Sequence, residues 1–217
     1  MQGIDVHQDK GNPSWQRVFA AGGRFAWLKV SEGAGGSPNP AILTWYRHNA
    51  PAAKAAGLKV GGYHFLTTAI LSSTPQEEAD FFLSRLSLHA GDLLPVCDFE
   101  QDPPDAAQAL AFLQRVEAEI GVKPILYTFP DYLTRALAHA VPAVQQALKR
   151  YPLWFADYGR NDGADHGITH DTHGFAVVAH QFTSKGTIDG ANPPTDLNQL
   201  IAPSLDAITF KHHPGAV

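Results

Sequence analysis

Cysteine is almost missing from this chain. Cys97 stands alone among 217 residues, so no intrachain disulfide can form and no cysteine-rich metal site can be built. It lies in the apolar run Leu94-Pro95-Val96-Cys97 and reads as a small buried hydrophobe rather than a reactive thiol. Long apolar runs are missing too. No stretch approaches the roughly 18 residues a membrane-spanning helix needs. Nor is there an excess of positive charge. Sixteen Lys and Arg against 21 Asp and Glu leave a net charge of −5, which provides no basic face for nucleic acid and no general attraction to an anionic polymer. No linker, internal repeat or low-complexity segment interrupts the chain.

What is present suits one globular unit. Hydrophobic residues make up 44% and charged residues 17%, enough apolar material for a substantial core. The length predicts one domain over 1–217, with a short frayed tail at about 211–217. The 19 glycines and 16 prolines are scattered, as expected of many turns between short elements.

Short apolar runs bounded by turn residues recur at Gly3–Val6, Phe25–Val30, Val60–Phe65, Leu93–Glu100, Pro124–Thr128, Pro152–Asp157 and Ala176–Thr183, with a weaker one at Thr187–Asp189. Their nearly continuous hydrophobicity predicts strands covered on both faces, as in a parallel sheet. Helical patterns fill the early gaps: Asn12 to Ala21, Asn39 to Ala56 before Gly57, a capped start at Thr74-Pro75-Gln76-Glu77, Asp105 to Ile120 before Gly121, and Asp131 to Ala140. Beyond Pro152 no helix is expected. The predicted fold is therefore α/β: a modified TIM-like β/α barrel, regular at first and finished by loop-connected strands.

Carboxylates recur at the ends of these runs. Asp5, Glu32, the pair Asp98 and Glu100, Asp157 and Asp196 would converge on the C-terminal mouth of such a barrel, where barrel enzymes carry their chemistry. Asp98 and Glu100 alternate with Phe99, so they share a strand face with Cα atoms about 6.6 Å apart. Two acids that close in a partly dry pocket cannot both ionise easily, so one becomes a proton donor beside an anion. Glycosidic cleavage needs that combination. The plainer reading is that both acids cap a following helix. Tyr63, His64, Phe65, Tyr127, Trp154, Tyr158 and the segment His180-Gln181-Phe182 also fall at strand ends, where flat rings could stack on sugars or simply fill the core.

The segments resemble, in order, those of the glycoside hydrolase family 25 lysozymes, the Chalaropsis-type muramidases. Gly3-Ile4-Asp5-Val6 is similar to the family's opening strand, and Lys29-Val30-Ser31-Glu32-Gly33 to its second-strand signature. Val60-Gly61-Gly62-Tyr63-His64-Phe65, Asp98-Phe99-Glu100, Tyr127-Thr128 and Trp154-Phe155-Ala156-Asp157-Tyr158 continue the series. Gln181-Phe182-Thr183 with Asp196-Leu197-Asn198 resembles its closing block. The resemblance implies a peptidoglycan hydrolase acting on the β-1,4 bond between N-acetylmuramic acid and N-acetylglucosamine. Glu100 would be the general acid and Asp98 would assist the substrate's 2-acetamido group, or act by direct displacement. Asp5 and Asp196 would complete the catalytic set. Glu32, Tyr63, His64, Phe65, Tyr127, Trp154, Asp157, Tyr158 and Gln181 would bind substrate. No metal or cofactor is implied, and the expected partners are peptidoglycan glycan strands, met by a monomer.

Two features depart from the family pattern. His7 follows Asp5 where a serine is usual, and His180 stands where a tryptophan usually precedes the glutamine. The loop from Gly159 to Gly174 has no counterpart. Three alternatives remain open: a glucosaminidase or chitinase-like hydrolase, a saccharide-binding barrel that does not cut, and a metal-dependent hydrolase using Asp5-x-His7-x-Asp9 or His170-Asp171-x-x-His173. With no leader visible before Gly3, the expectation is a cytoplasmic product released to act on the wall, as a phage endolysin is, or a secreted chain already trimmed.

Overall fold

The computed structural model describes residues 1–34, 39–67 and 73–211. The proposed tail therefore lies almost wholly outside the described residues. Eight strands close into one barrel in chain order: β1 (Gln2–Val6), β2 (Gly23–Glu32), β3 (Lys59–Phe65), β4 (Val96–Asp98), β5 (Ile125–Thr128), β6 (Leu153–Ala156), β7 (Val177–Gly186) and β8 (Thr195–Leu200). Neighbours from β1 to β7 pair in parallel, while β8 runs antiparallel to both β7 and β1. The helices are α1 (Trp15–Ala20), α2 (Pro40–Ala55), α3 (Pro75–Leu83), α4 (Ala106–Ile120), α5 (Pro130–His139) and α6 (Pro142–Leu148).

The expected caps form. The Asn39 side chain accepts from the Ala41 N–H, and Thr74 with Glu77 makes a reciprocal capping box. Gly121 ends α4 at φ 73°, a conformation that a Cβ would strain.

Four expectations need correction. The eighth strand is Thr195–Leu200, not Thr187–Asp189, which is largely loop with Ile188 buried in the larger apolar cluster. Thr195–Leu200 hides its strand character because Asp196 and Asn198 are polar residues facing inward rather than core hydrophobes. β4 is only Val96–Asp98: Pro95 offers no N–H, and the Leu93 and Leu94 N–H groups go to the carbonyls of Val60 and Ile208. β2 and β7 run longer than predicted, to Glu32 and Gly186. Finally α6 was not foreseen, being only seven residues opened by Pro142, too short for an amphipathic period to show.

Apolar side chains form two layers. The larger packs the helices on the outside of the barrel, around Phe82, Phe112, Leu113, Leu126 and Phe155. The smaller fills the interior with Phe25, Trp27, Val96, Ile125, Tyr127 and Trp154. The Trp27 and Trp154 rings stack at 4.4 Å and form a solid floor. Gly61 makes room for it, since a Cβ there would come within 2.6 Å of the Trp27 ring.

Between barrel and helices lies a buried polar chain. Ser31 Oγ is 2.9 Å from His64 Nδ1, and His64 Nε2 is 2.9 Å from Glu78 Oε2 on α3. Glu78 also accepts from the Thr67 N–H. The order imitates a nucleophilic triad, but His64 and Glu78 are both 0% exposed and the imidazole stacks on Phe112. It is a satisfied structural network that ties α3 to β2 and β3. Glu78→Ala should cost about 1–3 kcal/mol, the penalty for leaving buried partners unmet, as read by chemical denaturation. An unchanged midpoint would refute that role.

Candidate active site

The C-terminal ends of the strands bring most of the expected residues to one place. A cavity of about 200 Å³ is lined by Asp5, Asp98, Glu100 and Asp196 together with Tyr63, Tyr127, Trp154, Tyr158 and Gln181, and also by His7. Strand register explains the gathering. Asp98 pairs with Tyr127, which pairs with Trp154, across β4 to β6, while Asp5 pairs with Asp196 across β1 and β8. The ladder of β4 stops at Asp98, yet alternation persists one step further. Phe99 turns outward against Tyr132, and Glu100 returns to the cavity.

Hydrogen bonds preset the wall formed by β1, β7 and β8. Asp5 Oδ1 accepts from Gln181 Nε2 and from Asn198 Nδ2, each at 2.8 Å. Gln181 Oε1 accepts from the Tyr127 hydroxyl at 2.9 Å and the Tyr158 hydroxyl at 2.6 Å. Trp154 Nε1 donates to Asn198 Oδ1 at 2.7 Å. The amide groups are thereby locked in one orientation. Asp98 differs: its Oδ1 is buried without a partner among the described residues. It is a buried acceptor without a donor, on a residue that lines the cavity.

Burial raises all four acids, and repulsion from a neighbouring acid adds to it at Glu100, Asp98 and Asp196. Burial first, then the field of Asp5, pushes Glu100 up to about 7, against the pull of Lys29. Asp98 is raised well above the carboxylate range by burial and then by Glu100. Burial lifts Asp5 to about 6 in spite of its two amide donors, and burial with Asp5 lifts Asp196 to about 8. Such a cluster holds protonated and ionised carboxyls side by side near neutrality.

Four expected binding residues fall elsewhere. His64 is sealed under α3, as described above. Glu32 binds Lys29, Oε2 to Nζ at 2.6 Å, and the Lys29 ammonium lies 4.9 Å from the Phe65 ring centre. Both Glu32 and Phe65 lie outside the acid-lined cavity. Asp157 points into its own loop, where it accepts from the Thr169 and His170 N–H groups and meets His170 Nδ1 at 2.9 Å. Against the effect of burial, those donors hold its carboxyl below the usual range. Side-chain direction explains His64 and Asp157, since each is next to a cavity residue, Tyr63 or Tyr158, and neighbours along an extended chain face opposite sides.

Three contributors were not anticipated. His7 shares a face with Asp5, two residues on, a spacing that could have revealed it. Lys29 alternates inward with Trp27 on β2 and sends its charge toward Asp98 and Glu100. Asn198 stood in the closing Asp196-Leu197-Asn198 segment but was given no role there.

His180, the departure from the expected tryptophan, does not line the cavity. It is buried, with Nε2 donating to the Asp157 carbonyl at 2.8 Å and Nδ1 3.4 Å from Asp165 Oδ1. The Gly159–Gly174 loop is further pinned by Asn161 to Thr183 and Ser184, and by His173 to Thr134. His170 and His173 thus serve loop contacts, and among the described residues no group of three or more His, Cys, Asp or Glu is arranged to hold a metal ion.

A β/α barrel with a cluster of raised carboxyls and aromatic residues at its mouth has the design of a glycoside hydrolase. The comparisons agree. The family model "Glycosyl hydrolases family 25" matches residues 4–191, and the chain belongs to that family. It is a glycoside hydrolase. An uncharacterized protein of Escherichia coli, YegX, is 27% identical over 208 residues, covering 91% of this chain and 68% of YegX. The autolytic lysozyme of Clostridium acetobutylicum is 25% identical over 99% of this chain, which spans 60% of that lysozyme's length. In fold the chain matches the bacterial lysozyme of Streptomyces coelicolor with a TM-score of 0.79 over 96% of each chain, at 24% identity.

Two outcomes follow. The four acids bind protons more tightly in the folded chain than in the unfolded one. Folded stability is therefore fully present below the unfolded carboxylate values and declines as pH rises through about 6, 7 and 8, the folded values of Asp5, Glu100 and Asp196. Asp98→Asn should accordingly raise the melting temperature at pH 8 more than at pH 4. Equal shifts at the two pH values would contradict this. His180→Phe should speed limited proteolysis within residues 159–174, and unchanged cleavage kinetics would show that the imidazole does not anchor the loop.

Proposed function

We propose that the enzyme is a muramidase, cutting the β-1,4 bond from N-acetylmuramic acid to N-acetylglucosamine in peptidoglycan. The observation that carries the mechanism is the pairing of Glu100, raised to about 7, with an Asp98 oxygen that is buried and unpartnered. Glu100 keeps its proton near neutrality and gives it to the departing glycosidic oxygen. The substrate's 2-acetamido oxygen attacks the anomeric carbon from the opposite face. Asp98 accepts the acetamido N–H through its unpartnered oxygen, which orients and polarises the amide for attack. Glu100, now ionised, removes a proton from the water that opens that intermediate.

Burial and the Asp5 carboxylate keep Glu100 protonated, and Asp5 also aligns Gln181 and Asn198. Tyr63, Tyr127, Trp154 and Tyr158 wall the space that receives the sugar at the cleavage point. Names of relatives support the choice of polymer: an autolytic lysozyme among sequence relatives and a bacterial lysozyme among structures.

The test is digestion of purified peptidoglycan by wild type and Glu100→Gln, followed by borohydride reduction and mass spectrometry. Wild type should release muramitol ends, and Glu100→Gln should lose roughly 10²–10⁴ in turnover because an amide cannot donate the proton. The wild-type rate should fall as pH rises above about 7, where Glu100 loses that proton. Glucosaminitol ends would move the bond, and near-normal turnover in Glu100→Gln would sink the mechanism.

A further inference from the structure

A second cavity is larger than the acid-lined one. It is an open groove of about 800 Å³ between the second half of α2 and the segment joining α3 to β4. That segment feeds β4 from its N-terminal end. The groove therefore opens on the flank and base of the barrel, away from the mouth, and shares no lining residue with the acid cavity.

Its walls are cationic. Arg47, Lys54 and Arg85 line it with His89, and Asp92 is the only acid among its lining residues. Asp92 is already engaged, accepting from Lys54 Nζ at 2.7 Å and from the His89 N–H at 2.8 Å. Arg85 is preset: its guanidinium lies 3.3 Å above the Phe81 ring and Nη1 donates to Ser84 Oγ at 2.9 Å. Neither Arg47 nor Arg85 has a carboxylate partner among the described residues. Burial and then the Arg47 charge both weaken the hold of Arg85 on its proton, so the two guanidiniums feel one another across the groove. Like charges placed together cost free energy that an anion between them would recover. This local concentration of cations sits on a chain whose net charge is −5.

We propose that this groove is a second binding site, outside the reaction centre, for a phosphodiester polymer borne by the same wall as the glycan. Guanidinium forks match phosphate oxygens in bidentate geometry. Two guanidiniums without carboxylate partners in one groove suit a polymer with one negative charge per repeat, and Ala50 and Leu86 accept its carbon chain. The groove would hold an acidic enzyme on an acidic surface that repels it overall. The choice of a wall polymer rests on the muramidase reading; the anion chemistry does not.

The test titrates purified poly(glycerol phosphate) into the full chain by calorimetry, at low and high salt, for wild type, Arg47→Glu and Arg47→Ala/Arg85→Ala. Arg47 is exposed on α2, so its replacement leaves the core intact. Wild type should bind, more weakly at high salt. Both variants should bind at least about tenfold more weakly, the worth of one charge-assisted contact. Turnover of a short soluble muramyl oligosaccharide should stay at the wild-type level in both. Absence of wild-type binding at low salt, equal binding by Arg47→Glu, or equal competition by poly-glutamate would each overturn the proposal. Failure of the muramidase reading would show separately, as no oligosaccharide turnover by wild type.

Discussion

Asp5 Oδ1 receives amide N–H groups from both Gln181 on β7 and Asn198 on β8, and the closure of the barrel converges on that one oxygen. β8 is antiparallel to both its neighbours and carries few apolar residues, so hydrophobic burial alone does not specify its register. The polar contacts do. Asn198 also receives the Trp154 indole N–H, and Gln181 receives two tyrosine hydroxyls. The same atoms that close the sheet therefore orient the mouth. A slip of β8 by one residue would turn Asp196 and Asn198 outward and lose both closure and site.

The interior separates by height. Below, Trp27 and Trp154 stack into a floor and Gly61 yields the space they need. Above, four buried carboxyls share a small cavity with raised proton affinity. That upper layer destabilises the fold near neutrality, since buried like charges repel. The helix layer offsets it with a broad apolar interface and with the sealed Ser31–His64–Glu78 chain.

Much of the architecture was readable because its signals are local. Apolar runs marked seven of the strands, and Thr74-Pro75-Gln76-Glu77 and Gly121 marked helix ends through chemistry complete within a few residues. Asp98 and Glu100 were legible as a same-face pair because alternation is a backbone property. β8 was missed because its inward residues are polar. α6 was missed because seven residues show too little periodicity. His64, Glu32, Phe65 and Asp157 stood in motif segments beside true cavity residues, and the motif did not say which way each would point.

The sequence by itself determined the class of fold, the convergence of Asp5, Asp98, Glu100 and Asp196 at strand ends, and the family. Each of these depends on spacing along the chain or on the order of segments. Only the tertiary structure decided that His64 is sealed against Phe112, that His180 anchors a loop rather than walls the cavity, and that Arg47 and Arg85 face one groove. Those facts depend on which elements pack together, a matter of distances between residues far apart in the chain.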